Sequence, residues 1–582
     1  MRLHRLAIIS IFTAFALASC APSEQPPAAP PSQDAAFQQA ADDFLADYFK
    51  RNPTGATYLG IHDYDVKLED ASKAAIDAEV AALKQFRQRF AAIEEGRLSP
   101  ANQLDRTQVL SAIDSQLLDR EVVRSWAKDP DQYSSALGAT AYIMIKRAFA
   151  PAPDRLRALI AREKLMPAIL EEARRNLDNP PEVYTAIAIE QIDGTRDFFK
   201  TSVLQAFEGV TDAALLSEFK QSNQGVIDAL DRYKTFLEKD LKPRSKGTFA
   251  LGAETLAAKF RNDEGVTLPI DQLLAIAQRD LAKNQVAFRE TAARIAPGKD
   301  PRAVLLTVSS RHPRPDQLLS TTQSMLDSLR RFIVDKNLVT IPEAPPARVE
   351  ETPPFLRATT SASMDTPGAF EQVAKEAFYS ITLPDPKWSK AQSEEFMRAW
   401  YPEQIANVSV HEVYPGHYTQ FLYGPQFPSR IRKVFGASSN SEGWAHYCEQ
   451  MMLDEGLANG DPKARLAQLQ DALLRNVRFI AGIQLHTGRM TVEQAQKLFE
   501  KESYTPGPVA LSEAKRGTSD ATYGYYTLGK LMILKLRDDY RARKGAQYSL
   551  KEFHDSFLKL GPIQLRLVRK ALLGDEGDTL GD

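Results

Sequence analysis

His411-Glu412-Val413-Tyr414-Pro415-Gly416-His417 is the stretch on which the reading of this chain turns. Two histidines that share a metal commonly lie four apart on one helix face, with a glutamate beside the first reaching the bound water. Here the second histidine comes six positions after the first. At about 100° per residue, six residues turn roughly 600°, which leaves His417 about 120° away from His411 on a regular helix. Pro415 offers a way out. It has no N–H to donate to the His411 carbonyl, and it pushes Tyr414 away from helical angles. Gly416 tolerates almost any backbone angle. The stretch therefore reads as a helix, a Pro-Gly break and a fresh start, which is expected to bring His417 back to the face of His411.

Working outward, Glu442 follows in Ser441-Glu442-Gly443-Trp444-Ala445-His446-Tyr447. A catalytic zinc takes three protein ligands and keeps a fourth position for water. His411, His417 and Glu442 are the expected ligands of one Zn2+ ion. Ser439-Asn440-Ser441 provides N-cap chemistry that would put Glu442 in the first turn of a helix. His446 lies four residues further along the same face and competes for the ligand role. Glu449, seven residues after Glu442 and also on that face, is expected to hydrogen-bond a ligand imidazole and fix its tautomer. Glu412 is the expected general base, taking a proton from water. Three of the eight histidines of the chain fall within this short region, which favours a metal site over an ordinary polar helix face.

With 582 residues the chain can bury a large core, and 43% hydrophobic with 25% charged residues is ordinary for a soluble globular protein. A formal net charge of −2 argues against nucleic acid or an anionic membrane surface as the main partner. Arg2, His4 and Arg5 precede an apolar run, Leu6 to Leu17, that is too short to span a bilayer and reads as a signal peptide. It ends in Leu17-Ala18-Ser19-Cys20, which resembles a bacterial lipobox with Cys20 as the lipidated residue. A Pro-rich tether follows. Ala21 is not an obvious inner-membrane retention signal, so a periplasm-facing lipoprotein of the outer membrane is expected, touching the membrane only through its lipid. Cys448 is the other cysteine, so a lipidated Cys20 leaves no intrachain disulfide.

The expected organisation is a signal peptide over 1–19, a tether over 20–34, a helical subdomain over 35–336 and a catalytic zinc subdomain over 337–582. Apolar residues recur at helical spacing in Ala71–Ile93, Leu104–Leu118, Leu156–Leu177, Ile270–Ile295 and Pro315–Val334. Leu338–Pro342, Ala347–Glu350 and Ala377–Thr382 are short and β-branched or aromatic, and read as a small inserted sheet. Helices resume at Ser389. The fold class is mainly α.

His411 to Gln420 and Glu442 to Glu449 resemble the H-E-x-x-P-G-H-x-x-Q and E-G-W-A-x-Y-x-E signatures of the bacterial domain-of-unknown-function 885 family. Asn52-Pro53 to Gly60, Thr352-Pro353-Pro354-Phe355 and Tyr526-Thr527-Leu528-Gly529-Lys530-Leu531 extend the resemblance over nearly the whole mature chain. That family is similar to the gluzincin metallopeptidases. The resemblance implies a large multi-helix gluzincin-like peptidase fold with a deep cleft, acting on short peptides. It implies His411, His417 and Glu442 as ligands and Glu412 as base. It points to Tyr526, then Tyr523, as donors to the oxyanion. Arg516 is a candidate for a substrate carboxylate, and His486 for an approach to the cleft. The strand Ala377–Thr382 is expected to line the cleft and pair with extended substrate. The chain departs from the family at His446, where an apolar residue is common, and at Asp520-Ala521-Thr522, where many members have Pro-Gly-Gln. Two rivals remain: a zinc amidase or esterase acting on a non-peptide carbonyl, and a catalytically inactive binding lipoprotein.

Overall fold

The structure, a computed structural model, describes residues 31–353, 357 and 360–580. The signal peptide, Cys20 and most of the tether lie outside the described residues, and the first helix begins at Asp34.

The helical periodicities become helices. Ala71–Ile93 contains Lys73–Ala91, whose N-cap Ser72 hydroxyl accepts the Ala75 N–H. Pro100–Leu118 and Ala152–Asn176 follow, and Ile270–Ile295 has the expected bounds. Ser389 opens Lys390–Met397 through a capping box with Gln392. Three large apolar cores result. One joins residues between Phe37 and Ile113 with Ile431. A second gathers the helices between Tyr133 and Leu241. The largest holds Leu104 and runs from Leu256 to Leu573. Its apolar contacts do not divide at residue 337: helix Ile270–Ile295 packs against Pro462–His486, where Asn284 donates to Asn476 at 2.8 Å. No helix among the described residues is long and apolar enough to cross a membrane.

Among the described residues the sheet has three strands, β1 (Arg348–Glu351), β2 (Ala362–Asp365) and β3 (Phe378–Ile381), in the order β1-β3-β2. β3 runs parallel to β1 and antiparallel to β2. Two expectations are corrected here. Leu338–Pro342 is not a strand, because its backbone is engaged by side chains instead of a ladder. His554 Nδ1 donates to the Leu338 carbonyl, the Tyr423 hydroxyl donates to the Thr340 carbonyl, and Asp555 accepts the Thr340 N–H, each at 2.8 Å. And β3 is the central strand, buried and paired on both sides, so it has no free edge to offer a peptide. The edge strands are β1 and β2, and β2 is a segment with too little apolar alternation to be read as a strand.

Candidate metal centre

The helix Pro402–Glu412 carries His411 and Glu412 at its C-terminal end, and Val413 leaves helical geometry at φ −119°, ψ −74°. The Tyr414–Pro415 bond is cis. The chain folds back so closely that the Gly416 N–H reaches the Val410 carbonyl at 3.0 Å. A Cβ on Gly416 would sit 1.8 Å from the His411 carbonyl oxygen, so only glycine fits. The indole of Trp444 donates to the Pro415 carbonyl at 2.9 Å and pins the break. His417 then opens the short helix His417–Phe421. The two imidazoles meet with ring centroids 4.8 Å apart, at 87° to one another.

Glu442 arrives on helix Ser438–Asp454. This helix starts earlier than the N-cap reading of Ser439–Ser441 implied, and Ala437 provides no side-chain cap. The Ser439 N–H is instead accepted by the buried carboxylate of Glu264 at 2.8 Å. Helix Tyr525–Lys544 lies directly against it, since a Cβ on Gly529 would fall 1.8 Å from the Ser439 carbonyl oxygen and one on Gly443 2.5 Å from Gly529.

The candidate ligand atoms of His411, His417 and Glu442 all lie within 4.8 Å of one another. Glu442 Oε2 is 3.2 Å from His411 Nε2 and 3.2 Å from His417 Nε2. Neither contact has hydrogen-bond alignment, and Oε2 is buried without a donor. Ligand atoms around one tetrahedral zinc, with bonds of about 2.0–2.1 Å, lie roughly 3.3–3.4 Å apart. Three converging acceptors at that separation fit an ion. Burial alone would raise the Glu442 carboxyl, but the facing His417 and His411 hold it well below the ordinary carboxylate range.

Behind the ligands, Glu449 occupies both of its oxygens. Oε1 accepts from His411 Nδ1 at 2.7 Å and lies 3.0 Å from Arg475 Nη2, while Oε2 accepts from His446 Nδ1 at 3.0 Å. The bond to Glu449 keeps a proton on Nδ1, so Nε2 is the nitrogen a metal would take, displacing any proton there. Burial and Arg475 lower the His411 pKa, but Glu442 and Glu449 outweigh them and raise it to about 9. His446 is therefore brought to Glu449 and not into the ligand set; burial, with Lys530 next, lowers it to about 3. The buried Nδ1 of His417 has no hydrogen-bond partner. Arg475, which sequence reasoning missed, extends the chain of contacts to Asp471 at 3.7 Å, and Asp471 accepts from Gln404 and Asn407 at 2.8 and 2.7 Å.

A cavity of about 590 Å³ opens onto this centre, lined by His411, Glu412, His417, Glu442, Tyr526 and Arg516, with Tyr58 and the β2 residues Ala362 to Met364 also on its wall. Burial raises the Glu412 carboxyl above its ordinary range. The Tyr526 ring lies 6.3 Å from that of His411, and its hydroxyl oxygen accepts from Arg516 Nη2 at 3.2 Å, leaving its own proton to donate. Burial, then the charge of Glu442, raises its pKa. Two candidates lie elsewhere. The Tyr523 hydroxyl donates to Glu513 at 2.6 Å, and its ring packs under Arg478, off the cavity wall. His486 donates Nε2–H to the Gly517 carbonyl at 2.9 Å, and burial lowers its pKa to about 4. Both brace the helix Gly507–Ser519, which presents Arg516.

Residues 53–572 match the family described as "Bacterial protein of unknown function (DUF885)". No curated protein matches the chain. Among solved structures, one from Shewanella oneidensis, described as "a putative lipoprotein of unknown function", is 27% identical with a TM-score of 0.76, over 92% of this chain and 99% of that one. A second, described as "the putative lipoprotein from Colwellia psychrerythraea", is 19% identical with a TM-score of 0.77, over 92% of this chain and 98% of that one, a likeness of fold.

Proposed function

We propose that this chain, which belongs to the bacterial DUF885 family, is a gluzincin-like zinc peptidase that hydrolyses short peptides. The observation that carries the reading is the convergence of His411, His417 and Glu442 on one point of a cavity wall, with Glu412 beside them. A zinc ion held there would supply Lewis-acid chemistry, acidifying a water and polarising a carbonyl. The protein's own groups do the rest. The Glu412 carboxylate takes the proton of the attacking water and returns it to the leaving amine nitrogen. The Tyr526 hydroxyl donates to the oxyanion as it forms, with Arg516 holding the phenol oxygen in place. Arg516 also has guanidinium donors left for a substrate carboxylate. It is the sole Lys or Arg among the described residues lining the cavity. The outer edge of β2 offers an extended peptide main-chain hydrogen bonds with little sequence preference. The lipobox-like segment ending at Cys20, together with the lipoprotein descriptions of the two similar structures, supports a lipid-anchored protein of the cell envelope.

The test is to purify the mature protein, measure bound metal, and assay a mixed peptide library with and without chelator, alongside Glu412→Gln. The reading requires one zinc per chain, cleavage that chelator abolishes, and a Glu412→Gln variant that keeps zinc while losing about 10²–10⁴-fold in rate. Zinc without peptide cleavage would turn the assignment to an amidase or esterase. Neither metal nor turnover would leave a binding lipoprotein.

A further inference from the structure

A second cavity, of about 230 Å³, adjoins the first. The two share Tyr58, Ser363 and Met364, and they step along β2: Ala362 to Met364 face the metal cavity, Ser363 to Asp365 the second. The two cavities are thus offset by about one residue, roughly 3.3 Å, along β2 and along an extended peptide laid beside it. Successive side chains of such a peptide point to opposite faces, so one of them is directed at the second cavity.

We propose that this second cavity is a specificity pocket for one bulky, uncharged side chain of the bound peptide, with tyrosine or tryptophan preferred. The assignment rests on the peptidase reading above. Four properties of the pocket support it. Its size is room for about eight waters at roughly 30 Å³ each, the scale of a single aromatic side chain. Its wall is largely apolar, with Ala139 and Ile143 from helix Asp131–Lys146 facing Met364 and the half-exposed ring of Tyr58. Its two charges cancel, since Arg147 is paired with Asp365, so no unbalanced charge recruits an acidic or basic side chain. The other oxygen of that carboxylate, Asp365 Oδ2, is buried and has no hydrogen-bond donor. A phenol O–H or an indole N–H entering the pocket would supply one, and leucine or phenylalanine would not.

The test fills the pocket from the side that can accept added volume. Ala139 is exposed on the cavity wall, so Ala139→Phe adds bulk without entering a core. The full mature protein loaded with zinc is assayed on peptides that differ at one position, carrying Gly, Leu, Phe, Tyr, Trp, Asp or Lys. The proposal requires a position at which Tyr and Trp exceed Gly, Asp and Lys by on the order of tenfold or more in kcat/KM. It also requires that Ala139→Phe erase that advantage through KM while the Gly peptide and the zinc content stay at wild-type values, and that Ala139→Ser retain it. A preference unchanged by Ala139→Phe, or no such preference in the wild type, overturns the pocket. An equal loss on every peptide overturns it too, because it would mark general damage. If no peptide is cleaved, the peptidase reading has failed, and calorimetric binding of the Tyr and Gly peptides decides the pocket alone. Tighter binding of the Tyr peptide that Ala139→Phe removes sustains it, and equal binding refutes it.

Discussion

Glu449 is buried, yet each of its oxygens has a partner: His411 and Arg475 on one, His446 on the other. A carboxylate so placed accepts the His411 Nδ1 proton and aims Nε2 at the ligand point, while Arg475 keeps it ionised in a dry setting. Replacing it with glutamine puts an amide N–H where an acceptor is needed. Glu449→Gln is expected to weaken zinc binding by about 10–100-fold, measured by competition with a chelator, with the far-ultraviolet circular dichroism retained. Wild-type affinity would show that Glu449 does not orient His411. Tyr526→Phe tests the opposite side of the cavity. It removes an O–H whose oxygen is steadied by Arg516 and leaves the ring beside His411. A loss of about 10²–10³ in kcat with KM and zinc content little changed is expected, the signature of a donor used in the transition state. A parallel rise in KM alone would assign the hydroxyl to ground-state binding.

Among the elements, the two helices that build the site approach each other because glycine faces glycine. Gly443 and Gly529 remove the side chains that would keep Ser438–Asp454 and Tyr525–Lys544 apart, and so bring Glu442 and Tyr526 to one cavity. Gly529→Ala would place a Cβ 1.8 Å from the Ser439 carbonyl oxygen, a backbone atom that cannot swing aside. The expected cost is about 1–3 kcal/mol in denaturant unfolding, with weaker zinc binding as Glu442 is displaced. Gly209→Ala, with nothing within 4 Å of the new atom, is the neutral control. A Gly529→Ala variant as stable as that control would show that the helix pair has slack. This close pairing was not legible in the chain, because it depends on two glycines 86 positions apart. Local features were legible. The helices followed from periodicity, the Pro415-Gly416 break from the missing N–H and the freedom of glycine, and the Glu442–Glu449 face from seven-residue spacing. Features settled by distant partners were not. Arg475 reaches Glu449 from another helix, β2 is a strand because β3 pairs with it, and Leu338–Pro342 has strand composition but gives its carbonyls to Tyr423 and His554.

At the scale of the whole molecule, helices from either side of residue 337 share one core, and a buried acid from the first side, Glu264, accepts the N–H at the start of the Glu442 helix. Such acids carry a pH signature. Burial raises Glu264 from 4.5 to about 7, and does the same to Glu163, which sits between helices Ala152–Asn176 and Ala213–Phe236 and accepts from Ser222 and Asn223. A carboxyl whose pKa is higher in the folded chain binds more protons there than in the unfolded chain between the two values. Its contribution to stability is therefore fully present below about pH 4.5, falls as pH rises to about 7, and is level beyond. For Glu163 the rise from 4.5 to about 7 corresponds to on the order of 3 kcal/mol. Glu163→Gln cannot ionise and keeps an acceptor and a donor for its two partners. Relative to wild type it should gain stability steadily between pH 5 and pH 7 and hold the gain at pH 8, read from urea midpoints across that range. A difference between variant and wild type that does not change with pH would mean that Glu163 has an ordinary pKa and that solvent reaches the space between those two helices.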